Sequence, residues 1–261
     1  MTIGYIISGF AVGFLVGLTG VGGGSLMTPL LIMVFGIHPT TAVGTDLLFA
    51  SATKIVGSAV HGKQRTVKWP IVGRLLLGSL PGAVVTIAVL HHIGIHGHLA
   101  NQVISQVLAV LLLISAALLV AKPWLLRKAN ELESERHLTL GPTTSLLATI
   151  IVGLVLGVVV TICSVGAGAL GTIALLLLYP RLPVAEIVGS DIAHAVPLTL
   201  LAGLGHWWLG SVNPEILIPL LIGSVPGIAL GSFGVQIAPE PVLRGCLGVI
   251  LVVSGLKLLN G

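Results

Sequence analysis

Gly44-Thr45-Asp46 is repeated as Gly189-Ser190-Asp191, 145 positions later, and the repetition extends in both directions. His61 maps to His206, and Gly78-Ser79-Leu80-Pro81-Gly82 maps to Gly223-Ser224-Val225-Pro226-Gly227 at the same offset. Val21-Gly22-Gly23-Gly24-Ser25-Leu26 maps to Val165-Gly166-Ala167-Gly168-Ala169-Leu170 at 144. Gly13 and Gly17 match Gly153 and Gly157 at 140, which predicts four extra residues in the second copy around Val158 to Ser164. The chain therefore reads as two copies of one unit, residues 1–122 and 143–261, with a linker over 123–142. A duplicated, very apolar chain is the expected build of a membrane transporter with its site between the halves.

Of the 261 residues 55% are hydrophobic and 8% charged, and the mean hydropathy is +1.13. One soluble core cannot hide that much apolar surface, so the chain belongs in a lipid bilayer. Crossing the hydrocarbon layer takes about 20 apolar helical residues, and the runs near 41–61, 70–91, 99–121, 185–206, 216–237 and 243–259 qualify. None shows the strict alternation of an outer-membrane barrel strand, so the expected class is an all-α integral membrane protein. The net charge of +4 is thinly spread with no basic and aromatic surface, which argues against a nucleic-acid partner. Cys163 and Cys246 lie in apolar segments without metal-like spacing and read as small buried hydrophobes. With no Lys or Arg before Lys54, the basic start of a secretory signal is missing, so the first segment is expected to stay in place.

Loop charge sets the orientation. Lys63, Arg65 and Lys68 follow the 41–61 run, and Lys122, Arg127, Lys128 and Arg136 follow the 99–121 run, so both loops are expected on the cytoplasmic side. The His91–His98 turn carries no Lys or Arg and reads as external. In the second copy the loop 207–215, which corresponds to the basic 62–69 loop, carries no Lys or Arg, whereas Arg181 and Arg244 mark the other two turns. Opposite loop charge on homologous halves predicts an inverted-topology repeat, with the charged 127–142 stretch as cytoplasmic connector and both termini outside. Each half opens differently from the rest. Residues 3–18 and 24–36 are split by Gly20 to Gly24, and 146–160 and 169–179 by Val165 to Gly168. Each pair is expected to be a broken, re-entrant helix pair or two short tilted spans.

Unwound glycine backbone at membrane depth survives only where protein buries it or it lines a cavity. Gly22, Gly23, Gly24 and Ser25, and in the second copy Gly166, Gly168 and Ser164, are therefore candidate substrate-binding residues, offering N–H and O–H donors to an anion. Thr45 and Ser190 are further candidate hydroxyl donors. The glycine run lacks G-x-G-x-x-G phase and no Gly-Lys-Ser/Thr follows it, so neither a nucleotide site nor an ATPase is read here, and no enzyme activity or cofactor is implied. Asp46 and Asp191 sit inside apolar runs, where a carboxyl must be paired, protonated or wet, and they are candidates for coupling or gating. His61 and His206, at the ends of the same helices, join them as gate or relay candidates. Lys54 has no basic counterpart, since Thr199 stands at the equivalent position of the other copy, and it is expected to snorkel to the cytoplasmic face, with attraction of an anion as the second option. His194 and Trp207 are weaker candidates on the second half alone. Four histidines, His91, His92, His96 and His98, share one turn but lack a carboxylate or cysteine, and no metal site is assigned.

The run Gly17 to Leu26, followed by Ala42-Val43-Gly44-Thr45-Asp46, His61-Gly62 and Gly78 to Gly82, resembles the sulfite exporter TauE/SafE family of bacterial membrane permeases over nearly the whole chain. The resemblance implies transport, usually outward, of a small sulfur-containing anion such as sulfite or an organosulfonate like sulfoacetate. The second copy departs at Ala169 for Ser25 and Thr199 for Lys54, which breaks any two-fold symmetric anion cage. The expectation is an inner-membrane secondary transporter working by alternating access, driven by protons on the aspartates and histidines or by the membrane potential. A divalent metal-ion permease and a non-transporting assembly factor are the alternatives. A homodimer on Gly-rich helix faces is a further expectation.

Overall fold

The computed structural model describes residues 1–19, 24–94, 98–135, 142–165, 168–233 and 240–260. Every regular element among the described residues is a helix. In chain order these are α1 (Thr2–Thr19), α2 (Gly24–Phe35), α3 (Pro39–Lys63), α4 (Trp69–Ile93), α5 (His98–Glu135), α6 (Pro142–Cys163), α7 (Ala169–Leu178), α8 (Val184–Trp208), α9 (Pro214–Phe233) and α10 (Glu240–Asn260). Among the described residues, six stretches are long and apolar enough to cross a membrane: Pro39–Lys63, Trp69–Ile93, Ile104–Ala121, Thr144–Cys163, Val184–Trp208 and Pro214–Gly231. The protein is thus an all-helical, multi-pass membrane protein. Its outward faces carry Leu77, Val84, Val85, Leu147, Ile151, Leu204, Ile218 and Ile222, all well exposed, as side chains facing lipid would be.

Two elements outrun their sequence expectation. The stretch read as 146–160 is a 22-residue helix, because nothing in Pro142–Cys163 breaks it before the turn at Ser164. Helix α5 continues through the charged linker to Glu135 and has 38 residues. At 1.5 Å per residue that is about 57 Å, well beyond a hydrocarbon core of about 30 Å. Leu, Arg, Lys, Ala and Glu fill its distal part, all strong helix formers that need no lipid to stay helical.

Helices are paired across the two copies. In α1 and α9, Gly9 abuts the backbone of Leu220, Gly13 that of Ser224, and Gly223 and Gly227 that of Ile6 and Phe10. In α6 and α4, Gly153 abuts Leu75, Gly157 abuts Ser79, and Gly78 and Gly82 abut Ile150 and Leu154. A Cβ at any of these positions would collide with main chain, so the glycines set the distance between helices. The contacts match Gly9 with Gly153 and Gly13 with Gly157, an offset of 144 rather than 140. No four-residue insertion before Ser164 is needed, and the sequence register that placed one there is corrected. Within each pair the numbering rises together, so the helices of each pair run parallel.

α3 and α8 lie against each other head to tail. Gly44, early in α3, meets His206 and Ser211 at the end of α8, and Gly189, early in α8, meets Thr66 just past the end of α3. One end of the bundle collects the 62–69 loop and the 179–183 turn, joined by the Lys68–Glu186 ion pair at 3.0 Å and the Arg74–Tyr179 hydrogen bond at 3.3 Å. The other end collects the 36–38 turn and the 209–213 loop, with His91 stacked on Trp208 at 5.0 Å. Tyr5 packs on Phe35 at that same end, so α1 enters where α2 leaves.

Candidate functional site

The site forms where α3 and α8 cross and the short helices α2 and α7 begin. Asp46 and Asp191 each lie seven residues inside their helices, about 10 Å from the helix start, and both are buried. Thr28, in the first turns of α2, donates to Oδ2 of Asp46 from its hydroxyl at 2.5 Å and from its backbone N–H at 3.2 Å. Thr172, in the first turn of α7, donates its hydroxyl to Oδ2 of Asp191 at 2.9 Å. Thr28 and Thr172 are 144 positions apart, so the carboxylate–threonine pair occurs once per copy. Next to the second pair, Gly171 leaves room that a side chain would deny, since its Cβ would strike the Asp191 carboxylate.

Ser164 lies beside Asp46 from the opposite copy. Its backbone is in the left-handed region, φ 58°, a conformation that costs a non-glycine residue about 1–2 kcal/mol. Its buried hydroxyl lies beside the Asp46 carboxylate as a donor, although neither it nor Oδ1 of Asp46 makes a hydrogen bond of standard geometry among the described residues. Gly168, φ 138°, precedes α7 in a conformation that glycine accepts readily. Gly22, Gly23 and Gly166 lie outside the described residues, as do the surroundings of Gly24 and Ser25.

Lys54 is the largest departure from the sequence reading. It does not reach either face: it sits midway along α3 and is 2% exposed. Asp46 and Asp191 are both within its electrostatic reach, and so is His194 of α8. His194, in turn, pairs through Nε2 with the Ser79 hydroxyl of α4 at 2.8 Å, and Nδ1 has no partner among the described residues. A lysine fifteen residues into an apolar helix looks identical in sequence whether it snorkels or turns inward. What separates the two is the pairing of α3 and α8 head to tail, which brings both aspartates within its electrostatic reach.

Thr45 and Ser190 also hold backbone from the opposite copy. The Thr45 oxygen accepts the backbone N–H of Asn213 at 3.2 Å, and the Ser190 oxygen accepts that of Lys68 at 2.8 Å. Each therefore ties its helix to the loop that follows the other. The Ser190 hydroxyl proton also goes to the Glu186 carbonyl at 2.6 Å. His61 and His206 close equivalent turns: Nδ1 of His61 is 2.9 Å from Oγ1 of Thr66, and Nδ1 of His206 is 3.0 Å from Oγ of Ser211. His206 is fully buried, and its Nε2 donates to the Thr161 carbonyl at 2.9 Å, whereas His61 is half-buried at the bundle end. Among the described residues no three His, Cys, Asp or Glu side chains converge as metal ligands would.

Two carboxyls and one lysine buried in a helical membrane protein are costly unless they are paired or serve a pathway. The family model for the sulfite exporter TauE/SafE matches residues 5–258. The chain belongs to that family. Similar proteins include the probable membrane transporter protein YjnA of Bacillus subtilis, 40% identical over 99% of this chain and 100% of the relative. The probable membrane transporter protein YdhB of the same organism is 24% identical over 96% of this chain and 97% of its own. The probable membrane transporter protein MJ0441 of Methanocaldococcus jannaschii is 27% identical over 97% and 94%. No solved structure gives a significant match to this TauE/SafE chain.

Proposed function

We propose that this TauE/SafE protein is a secondary transporter that moves a small sulfur-containing anion, sulfite or an organosulfonate such as sulfoacetate, outward across the bacterial inner membrane by alternating access. The observation that carries this reading is the buried crossing of α3 and α8, where one lysine and several unsatisfied donors and acceptors lie deep inside apolar helices. The family adds the solute class. The metal-ion alternative finds no ligand cluster among the described residues.

The repeat is taken as inverted, with 1–122 and 143–261 as the halves and 123–142 as connector. The head-to-tail packing of the homologous helices α3 and α8 supports this. So does the collection of Lys63, Arg65, Lys68, Arg74 and Arg181 at one end, which is then the cytoplasmic end by the positive-inside rule and leaves the termini outside. The pairs α1–α2 and α6–α7 are taken as broken helix pairs whose short second helix turns back within the bilayer. In support, α7 has 10 residues and reaches about 15 Å, half of the hydrocarbon core. In this arrangement Ser164 and Gly168 reach mid-membrane, where they offer hydroxyl and amide donors to the solute, and Gly22, Gly23, Gly24, Ser25 and Gly166 are proposed as further solute donors. Asp46 and Asp191 couple or gate, His206 secures the outer end and His61 the inner end. Thr45 and Ser190 hold the crossing together.

Because α1 packs on α9 and α6 on α4, the bodies that rock are mixed units with helices from both halves. Purified protein in liposomes tests the solute: labelled sulfite or sulfoacetate released on reconstitution supports the proposal. Movement of divalent metal without either anion overturns it.

A further inference from the structure

One ammonium and two carboxyls share the crossing of α3 and α8, and the balance of those charges decides what else fits there. Lys54 is the only buried Lys or Arg among the described residues. Within its electrostatic reach are Asp46 on α3 and Asp191 and His194 on α8; these in turn meet Cys163 and Ser164 at the end of α6, the hydroxyls of Thr28 on α2 and Thr172 on α7, and Ser79 on α4. Polar atoms buried in this set without a hydrogen bond of standard geometry among the described residues include Oδ1 of Asp46, Oγ of Ser164, which lies beside that carboxylate, and Nδ1 of His194. A buried group left so costs about 1–3 kcal/mol, which marks the crossing as a place built for something polar.

We propose that Lys54 holds the transported anion at this crossing and that the anion travels together with a proton taken up by Asp46. This rests on the anion-transport reading above. When Ser79 donates to Nε2 of His194, Nδ1 carries the imidazole proton, so Lys54, His194 and Ser164 all present hydrogens to an oxyanion. Oδ1 of Asp46 is the exception: ionised, it is an acceptor and repels the solute, whereas protonated it becomes a fourth donor. With both carboxyls ionised the cluster already exceeds its single lysine in negative charge, so admitting a further anion without a proton would bury two uncompensated charges. Adding the proton with the anion leaves the charge of the cluster unchanged. The proton enters from the same aqueous side as the solute and leaves with it, and the solute's own gradient sets the direction.

Thr199 occupies the place of Lys54 in the second copy and is equally buried. The cation is therefore movable in principle to the equivalent position on α8, which gives a discriminating test. Full-length protein is reconstituted in liposomes holding a lumenal pH dye, with the potential clamped and methanesulfonate, which stays ionised throughout, as probe. The expected result is lumenal alkalinisation in step with methanesulfonate efflux, about one proton per anion. Lys54→Thr should cut the flux at least about tenfold, as loss of a charge-assisted hydrogen bond does. Lys54→Thr combined with Thr199→Lys should restore part of it. Asp46→Asn should lose the pH change that accompanies whatever flux remains. Efflux without a pH change overturns the coupling, and Lys54→Thr at the wild-type rate overturns the site. The wild-type pH trace decides the coupling even if a variant fails to fold. Should wild-type protein move neither sulfite nor a sulfonate, the functional reading itself has failed.

Discussion

Thr172 donates its hydroxyl proton to Oδ2 of Asp191 across 2.9 Å, and this bond fixes the start of α7 against the middle of the bundle. Thr172→Val keeps the shape and removes the donor. It should cost about 1.5–3 kcal/mol, the range for a hydrogen bond to a charged partner. Thr28→Val should cost less, because the Thr28 backbone N–H still reaches Asp46. Thermal unfolding of both variants in detergent gives the comparison, and equal losses would contradict it.

Close approach of α4 and α6 depends on bare backbone. Gly78→Val would drive a side chain into the main chain of Ile150 and Leu154, a steric insult of at least about 3 kcal/mol. Gly62→Ala, where nothing lies within 4 Å of the new methyl, should leave folding unchanged. Yield of monodisperse protein on size-exclusion chromatography separates the two.

Thr45→Val and Ser190→Ala remove the acceptors that tie the crossing to the loops after α8 and α3. Each should lower stability by about 1 kcal/mol while leaving the KM for sulfite or sulfoacetate within about twofold. A large rise in KM with unchanged stability would return these hydroxyls to the solute.

His206→Ala should be far more damaging than His61→Ala. His206 is enclosed and bridges the Thr161 carbonyl and Ser211, so its removal leaves both without their partner. A loss of about 2 kcal/mol or more is expected for His206, against under about 1 kcal/mol for the half-buried His61. Thermal midpoints measured side by side decide it.

Orientation is open to direct labelling. In a chain carrying Cys163→Ala and Cys246→Ser, Glu215→Cys should react with an impermeant maleimide added outside intact cells. Gln64→Cys should react only after the membrane is opened. The reverse pattern would invert the placement.

The fold was largely legible because lipid imposes a simple code: long apolar runs, basic loops and interrupting glycines each carry one meaning. Asp46, Asp191 and Ser164 stood out as polar groups in expensive places. The sequence says less where one residue type serves two ends. Thr45 and Ser190 read as solute donors beside an aspartate, and the structure adds a second use: their oxygens accept backbone N–H from the opposite copy, a partner some 120 to 170 positions away that local spacing does not reveal. Lys54 was read as reaching for water because a long aliphatic stem suits that role, and only helix pairing brings both carboxyls to it. The register before Ser164 slipped because glycines recur every fourth residue in α1, so matching identical letters could not choose between Gly9 and Gly13 as the start.

The pairing of α1 with α9 has a consequence for how the protein is made. When α1 leaves the ribosome, the helix that accepts its glycine face is still some two hundred codons from synthesis, so the early segment must wait in the translocon or the bilayer unassembled. Neither half should mature alone. Two separately expressed fragments cut at the connector should rescue each other when produced in one cell.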